Sequence, residues 1–433
     1  MRLVVLTRSL LGCAVLVLAV GAVYAWQPAI APIVPPAAEV FPPERVENGA
    51  ILAAAGNCAG CHTVDPGPAL GGGLGLDTGF GIAYSTNISP DPQTGIGRWS
   101  EAAFTRALRE GVARDGSHLY PAFPYMHYAK MTDEDVRSLY AFLMTRAPVV
   151  APARKNTISF PFNIRALQAG WKLLFFRRGI YQGDPARSVE WNRGAYLAEG
   201  ITHCAGCHTP RNRFGAEQVS APYAGAPLDG WLAPPLDANN PSPLPWTQAD
   251  LYDYLRTGAS ERHGVAAGAM AEVIHAGLHR LPDADVQALA FYFAESNGSA
   301  AREPEAAAAL DLAMSRRLVD AGQETQPGAN LYLGACASCH YSPPAKPGAV
   351  RGSLALSTAL TSDDPSNFIQ TVMHGVGGAG VPGPYMPGFA TALTDADIAL
   401  LATYLRRTRT DRSDWTNLSA RIAALRTPDS APP

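Results

Sequence analysis

The sequence predicts an all-α protein of three tandem domains of one type, preceded by an N-terminal export or anchor segment. The first observation is a motif, Cys-x-x-Cys-His, that occurs three times in 433 residues, at residues 58–62, 204–208 and 336–340. The second is a helix pattern that repeats around each motif, as in chains built from repeated units. The predicted divisions of the chain are, in order, residues 1–43, 44–150, 185–298 and 320–412.

Each Cys-x-x-Cys-His motif has the spacing of an attachment site for covalent haem c. The two thiols bond to the haem vinyl groups, and a helical turn carries the histidine to the iron. A zinc site or a thioredoxin-like thiol pair remains an alternative for one motif, but three copies that use six of seven cysteines in an exported chain favour haem. We therefore predict three haems c, attached by Cys58, Cys61, Cys204, Cys207, Cys336 and Cys339, with His62, His208 and His340 as proximal iron ligands.

Three helices are predicted in every domain. An opening helix carries a glycine eight to ten residues before the first cysteine of the motif, at Gly49, Gly194 and Gly328. A middle helix begins at Ser100, at Thr247 and near Asp364-Pro365, where serine and threonine are good N-caps and proline suits a first helical position. A closing helix begins at Thr132, Pro282 and Thr394. Domains of roughly a hundred residues have modest cores, so the haem supplies much of each core, as in class I-like cytochrome c domains.

The closing helices share an apolar stripe at the i, i+3, i+4, i+7 spacing of an amphipathic helix. The stripe consists of Val136, Leu139, Tyr140 and Leu143, then Val286, Leu289, Ala290 and Phe293, then Ile398, Leu401, Ala402 and Leu405. An aromatic residue recurs beside each stripe, at Phe142, Tyr292 and Tyr404, and we interpret these three as packing residues. Residues 150–157 and 299–308 are rich in proline or alanine and are interpreted as linkers.

The sixth iron ligand decides whether a haem transfers electrons or performs chemistry, because a thioether raises the potential whereas an open position admits oxygen or peroxide. In the third domain Met386 lies eight residues before the closing helix and is the predicted ligand. In the second, Met270 is the only methionine of its region; its alternative role is core packing. In the first, Phe123 stands where Met386 would be, and the predicted ligand is Met131, with His127 and Met126 as alternatives.

The N-terminus predicts export. Arg2 and Arg8 precede an apolar run, residues 10–24, and a proline-rich stretch follows. This pattern fits a cleaved signal with a cut after Ala25 or an uncleaved single-span anchor. Acylation of Cys13 is a third alternative, although the apolar run follows this cysteine. All three place the bulk of the chain outside the cytoplasm.

Composition excludes one class of partner. Charged residues are 16% of the chain and the formal net charge is −3 at pH 7. No basic face or arm is visible, so we expect no nucleic-acid binding. The run of glycines at residues 71–75 lacks the strand-then-helix context of a nucleotide loop and is interpreted as a flexible loop at the haem edge.

Several motifs carry a family resemblance over residues 44–410. The sequence resembles the trihaem cytochrome c subunit of bacterial periplasmic dehydrogenases in Tyr84-Ser85-Thr86-Asn87-Ile88, Gly95-Ile96-Gly97-Arg98-Trp99, Tyr120-Pro121-Ala122-Phe123-Pro124-Tyr125, Trp191-Asn192-Arg193-Gly194-Ala195 and Cys207-His208-Thr209-Pro210. In one respect it departs from the family pattern: residues 414–433 show no amphipathic helix, which puts membrane attachment through the C-terminus in doubt.

The resemblance implies an electron-transfer subunit with no catalytic residue of its own. Its partner would be a catalytic dehydrogenase subunit: a molybdenum hydroxylase acting on aldehydes or on N-heterocycles such as nicotinate, a quinoprotein or a flavoprotein. Residues 26–32 and 171–176 resemble the molybdenum-hydroxylase group more. Electrons would pass to ubiquinone or a terminal oxidase at the periplasmic side of the bacterial inner membrane. A self-sufficient, peroxidase-like haem enzyme and a stand-alone shuttle are the alternatives.

Overall fold

The computed structural model describes residue 19 and residues 21–316, 326–340, 353–377 and 385–426. Most of the predicted export segment, including Cys13, lies outside the described residues. Within them, no helix combines the length and the apolar character needed to cross a bilayer.

Helices dominate the described part of the chain, as predicted. The α-helices of four residues or more are Pro43–Ala55, Cys58–His62, Glu101–Glu110, Tyr125–Tyr128, Asp133–Met144, Leu167–Phe175, Val189–Glu199, Ala205–His208, Gln248–Thr257, Ala269–Glu272, Asp283–Ser296, Ser299–Arg316, Ala329–Ala335, Ala337–His340, Thr358–Thr361, Ser366–His374, Asp395–Arg409 and Leu418–Arg426. Short antiparallel hairpins, which the all-α prediction did not include, pair Gly75–Asp77 with Ile82–Tyr84, Ala226–Leu228 with Trp231–Ala233, and Ala259–Ser260 with Gly264–Val265.

The predicted helix starts are set by side-chain caps. Ser100, Thr132, Thr247 and Thr394 each accept a hydrogen bond from the backbone N–H three residues on, which satisfies one of the free donors at a helix N-terminus. The third middle helix differs slightly: it begins at Ser366, and Pro365 precedes it instead of being its first residue. All twelve residues of the predicted closing-helix stripes are buried, which confirms the amphipathic interpretation.

Opening and closing helices approach each other at the predicted glycines, although Gly328 is the N-cap of its opening helix, Ala329–Ala335, instead of a residue within it. A Cβ atom added at Gly49 would overlap the Ser138 carbonyl and lie 2.7 Å from the Cβ of Phe142. Gly194 has the same relation to Tyr292, at 2.7 Å, and Gly328 to Tyr404, at 2.9 Å. Only a residue without a side chain fits where the backbones approach this closely. The recurring glycines and the recurring aromatic residues are therefore two sides of one repeated contact.

The chain divides into two compact units by its internal contacts. The first comprises residues 1–182, 199–203 and 213–216, and the second comprises residues 183–198, 204–212 and 217–433. The predicted second and third domains thus lie mainly in one unit, and the division into three domains stays a prediction.

One segment differs from its sequence interpretation. The predicted linker at residues 299–308 is helical, as part of Ser299–Arg316, with Pro304 inside the helix. Residues 418–426 form a helix that is not amphipathic, and Leu418 and Ile422 on it are buried in the core of the third repeat. The first linker, residues 150–157, has no helix or strand and runs beside the first hairpin, where Asn156 accepts a hydrogen bond from the N–H of Tyr84.

We predict that Gly49→Ala lowers the free energy of unfolding of the first unit by about 1–3 kcal/mol, because the added methyl group forces apart two packed helices. The measurement is thermal unfolding followed by circular dichroism. Gly170→Ala is the matched control, since this helical glycine has nothing within 4 Å of its would-be Cβ. The control should be neutral or stabilising by up to about 1 kcal/mol; equal destabilisation by both would contradict the crossing as the cause.

Candidate functional site

The three motifs form short helices that follow the opening helices. In the first, Cys58–His62 begins directly after Asn57, whose φ of 45° is left-handed. In the second, His203 has a φ of 37° immediately before Cys204. This conformation is costly for a residue with a Cβ, so it marks a sharp turn that the surrounding packing holds in place. The turn separates the opening helix from the helical turn that carries both thiols and the histidine.

The proximal histidines of the first two motifs are held by backbone carbonyl groups. The Nδ1–H of His62 donates to the oxygen of Thr86 at 2.6 Å, and the Nδ1–H of His208 donates to the oxygen of Pro234 at 2.7 Å. Because a carbonyl oxygen only accepts, the proton is fixed on Nδ1 and the lone pair of Nε2 is available to a metal. Such a bond also orients the ring and increases the basicity of the ligating nitrogen.

A short hairpin supplies each of these carbonyl groups. The strand Ile82–Tyr84 ends two residues before Thr86, and the strand Trp231–Ala233 ends directly before Pro234. The second hairpin is held further by Asn367, whose side chain accepts from the N–H of Leu232 and donates to its carbonyl, both at 2.8 Å. A residue of the third middle helix therefore fixes the hairpin that positions His208.

The loop that leads into each hairpin also forms a hydrogen bond with the backbone of the corresponding histidine. The N–H of Gly72 donates to the carbonyl of His62, and the N–H of Gly225 donates to the carbonyl of His208, both at 2.7 Å. Both glycines have positive φ, 75° and 82°. A Cβ atom at Gly72 would lie 2.6 Å from the Thr86 oxygen. The glycine run at residues 71–75 thus includes a tight contact behind His62, where the sequence indicated only a flexible loop.

The protonation states suit a neutral ligand and un-ionised thiols. Burial lowers the pKa of His62 and of His208 below the usual range, so both rings are neutral near pH 7. Burial, with a smaller effect of Cys61, raises the pKa of the Cys58 thiol to about 12. Burial and Cys339 raise the pKa of the Cys336 thiol to about 11. The Cys58 and Cys336 thiols are therefore un-ionised near pH 7, unlike the reactive thiolates of redox-active cysteine pairs.

The predicted methionine ligands lie in three different local structures. Met386 forms two backbone hydrogen bonds, at 2.9 and 3.0 Å, with Val376. Val376 lies just after the end of the third middle helix at His374. Met270 lies half-buried in the short helix Ala269–Glu272. Met131 is completely buried and directly precedes the N-cap of the first closing helix.

The alternatives in the first repeat are also placed. His127 is buried, and its Nδ1–H donates to the backbone carbonyl oxygen of Glu199 at 2.9 Å. Met126 packs beside a small apolar cluster that contains Tyr125 and Phe176. Phe123 contacts Tyr128, with ring centroids 5.3 Å apart.

The repeat gives the position of Met131 a counterpart. Arg109 donates to the carbonyl of Met131 at 2.9 Å, and Arg256 donates to the carbonyl of Leu281 at 2.8 Å. Met131 and Leu281 therefore occupy the same place before their closing helices, and both are buried. Leucine cannot bind iron, so the position serves packing in the second repeat and can serve either role in the first.

We predict that Gly72→Ala raises the reduction potential of one haem, because the added Cβ displaces the Thr86 carbonyl and weakens the hydrogen bond that makes His62 a stronger donor. Potentiometric titration followed by visible absorbance is the measurement. Gly73→Ala is the matched control, since Gly73 also has a positive φ, 99°, but its Cβ would approach no atom closer than 3.5 Å. Equal shifts in both variants would point to backbone strain instead.

Two family models match parts of the chain. The family model for cytochrome c matches residues 46–147, and the model for the cbb3-type cytochrome c oxidase subunit III matches residues 323–405. A nicotinate dehydrogenase subunit of Pseudomonas putida is 46% identical over 412 residues, which cover 93% of this chain and 33% of that protein. The chain thus spans about a third of that relative's length.

Two further relatives match over most of their length. The fructose dehydrogenase cytochrome subunit of Gluconobacter japonicus is 39% identical over 83% of this chain and 78% of its own length. The gluconate 2-dehydrogenase cytochrome c subunit of Pantoea cypripedii is 34% identical over 88% of this chain and 89% of its own length. The names of all three relatives are those of subunits of dehydrogenases.

Proposed function

The chain belongs to the family of cytochrome c subunits of dehydrogenase complexes, and we propose that it holds three covalent haems c and relays electrons from a catalytic dehydrogenase subunit. The observation that carries the proposal is the threefold repetition of one arrangement. Each Cys-x-x-Cys-His turn follows an opening helix that crosses its closing helix at a glycine. Three copies of the arrangement support three haems.

The residues of each repeat would have different roles in binding a haem. The cysteine pairs would tether it, and His62, His208 and His340 would bind its iron. The hydrogen bonds from Nδ1 to Thr86 and Pro234 orient the first two rings. Bound haem supplies reversible one-electron chemistry, so a substrate oxidised by two electrons is served in single-electron steps.

We propose Met131, Met270 and Met386 as the sixth ligands. The fixed backbone of Met386 supports its assignment, because a ligand held in place needs no reorganisation when the iron changes charge. Burial supports Met131, since a thioether out of water can act as the apolar ligand that raises the potential. Three filled coordination spheres fit electron relay and disfavour peroxidase-like chemistry.

The partner proposal rests on the relatives. Among the partners that the family resemblance implies, the 46% identity to the nicotinate dehydrogenase subunit favours a molybdenum hydroxylase acting on an N-heterocycle or aldehyde, and a flavoprotein or a quinoprotein is the alternative. The chain would pass electrons to ubiquinone or a terminal oxidase at the periplasmic side of the inner membrane. The absence of nucleic-acid binding stays an expectation from composition.

We predict that Met131→Leu removes one low-spin haem signal or lowers one of three potentials, because the thioether is lost while the apolar volume remains. Leucine occupies the equivalent position in the second repeat, so the fold should tolerate it. Electron paramagnetic resonance and redox titration are the measurements. His127→Gln is the comparison variant. If Met131→Leu kept all three low-spin haem signals and His127→Gln lost one of them, His127 would be the ligand.

The proposed electron relay predicts different activities for the isolated chain and for its complex with the catalytic subunit. The purified chain should carry three haem additions by mass spectrometry, be reducible by dithionite, and oxidise no N-heterocycle, aldehyde or alcohol. The complex isolated with its catalytic subunit should reduce a ubiquinone analogue when given substrate. Cys336→Ala should abolish quinone reduction but spare substrate oxidation with an artificial acceptor. Dehydrogenase or peroxidase turnover by the chain alone would contradict the proposal.

A further inference from the structure

The segment that follows the first repeat has an unusual combination of charge and exposure. Residues 154–182 contain six arginines and lysines and no aspartate or glutamate, although the whole chain has a net charge of −3. The same segment exposes large apolar side chains. They are Phe160, Phe162, Ile164, Leu167, Leu173, Leu174 and Ile180, each at least 37% exposed. Clustered apolar exposure of this kind marks an interaction surface.

The helix Leu167–Phe175 in this segment exposes leucine side chains to solvent and buries two polar side chains against the protein, next to the buried Ala169. Gln168 and Lys172 are buried, whereas Leu173 and Leu174 are 62% and 65% exposed. A helix that packs on a core normally has the opposite arrangement. The outward leucines therefore need an explanation outside the first unit's own core.

Lys172 fixes this orientation. Its Nζ donates to the carbonyl oxygens of Glu110 and Gly111, at 2.7 and 2.6 Å, and to Nδ1 of His118 at 3.0 Å. The protonated form of Lys172 uses all three of its N–H donors in these bonds, two of them at the C-terminus of the first middle helix, where a cation is favoured. Burial lowers the pKa of Lys172 to about 7. Rotation of the helix would break these buried bonds, so the exposure of the leucines is built into the fold.

The same histidine connects the helix to the N-terminal segment. The Nε2–H of His118 donates to the carbonyl of Ala25 at 2.9 Å. Ala25 directly follows the apolar run of residues 10–24, and the neighbouring Val23 and Trp26 are 75% and 71% exposed. The chain of contacts from Ala25 through His118 to Lys172 places the end of an apolar run beside the inverted helix, within one compact unit.

We propose that residues 160–180 dock on the surface of a phospholipid bilayer that contains anionic lipids. Leu173 and Leu174 enter the interface, and Arg165, Arg177 and Arg178 lie at the level of the phosphate groups. Interfacial helices combine these features: an apolar side with leucine and aromatic residues, and basic residues at its border. Each leucine that leaves water raises partitioning about tenfold or more. The inference deepens the membrane association in the proposed function by naming the surface that makes the contact.

The direct test uses an environment-sensitive fluorophore on the full haem-loaded chain. In a Cys13→Ser background, Leu173→Cys is labelled with bimane, since the six motif cysteines are bonded to haem. Val189→Cys is the matched control, because Val189 is also apolar and 89% exposed but lies in the second unit. With vesicles containing phosphatidylglycerol, the label at residue 173 should shift to the blue and be quenched by spin-labelled acyl chains, and the control should not.

Two results would overturn the proposal. One is identical emission from the two labels with vesicles. The other is a blue shift at residue 173 that requires the catalytic subunit and not lipid, which would make the segment a protein-docking surface. Both readouts are independent of electron transfer, so failure of quinone reduction with normal lipid insertion would count against the proposed function alone.

The charge part of the proposal has its own variant. Arg177→Gln with Arg178→Gln should raise the concentration of anionic lipid needed for the blue shift by about 30-fold, the effect expected of two arginines near an anionic surface. Neutral phosphatidylcholine vesicles should show no difference between this variant and the parent. An unchanged lipid requirement with anionic vesicles would exclude the arginines from the contact.

Discussion

The close crossing of opening and closing helices is the constraint on which each repeat depends. At Gly49, Gly194 and Gly328 the backbone of one helix lies against the backbone of the other, with no room for a Cβ. The crossing fixes where the opening helix ends and therefore where the attachment turn begins. It also aims the apolar stripe of the closing helix inward, toward the core that the predicted haem would complete. A small domain with a modest core needs such a fixed frame around its cofactor.

The predicted proximal histidines of the first two repeats, His62 and His208, are held directly by backbone groups. The oxygen of Thr86 or Pro234 holds Nδ1, and the N–H of Gly72 or Gly225 holds the histidine carbonyl. A substitution at Thr86 changes its side chain but leaves its carbonyl group, so the orientation of the His62 ring should tolerate such a change. The orientation is sensitive instead to Gly72, where a side chain would displace the Thr86 carbonyl. Asn367 extends this support in the second repeat by fixing the hairpin from the third middle helix.

The first unit contains a core and a surface segment that are stabilised in different ways. The core is packed in the same way as the cores of the other repeats. The segment after it is organised around one buried lysine, Lys172, whose three hydrogen bonds cover the end of the middle helix and hold the helix with its leucines outward. A membrane-facing surface of this kind leaves the electron-transfer core unchanged, because the apolar side chains that contact lipid take no part in packing around the motifs.

The sequence by itself determined the helix starts and the stripes of the closing helices, and the attachment residues stay its prediction. These are local properties: the motif spacing fits one turn, Thr132 and Thr394 cap the helix that they precede, and apolar periodicity needs only 3.6 residues per turn. Tertiary structure decided the rest. The carbonyl partner of His62 is 24 residues away, the glycine run proved to be a tight contact, and the shared position of Met131 and Leu281 emerged only from matching arginine contacts. Local sequence could not give these, because they depend on loop closure and on which distant backbone groups meet.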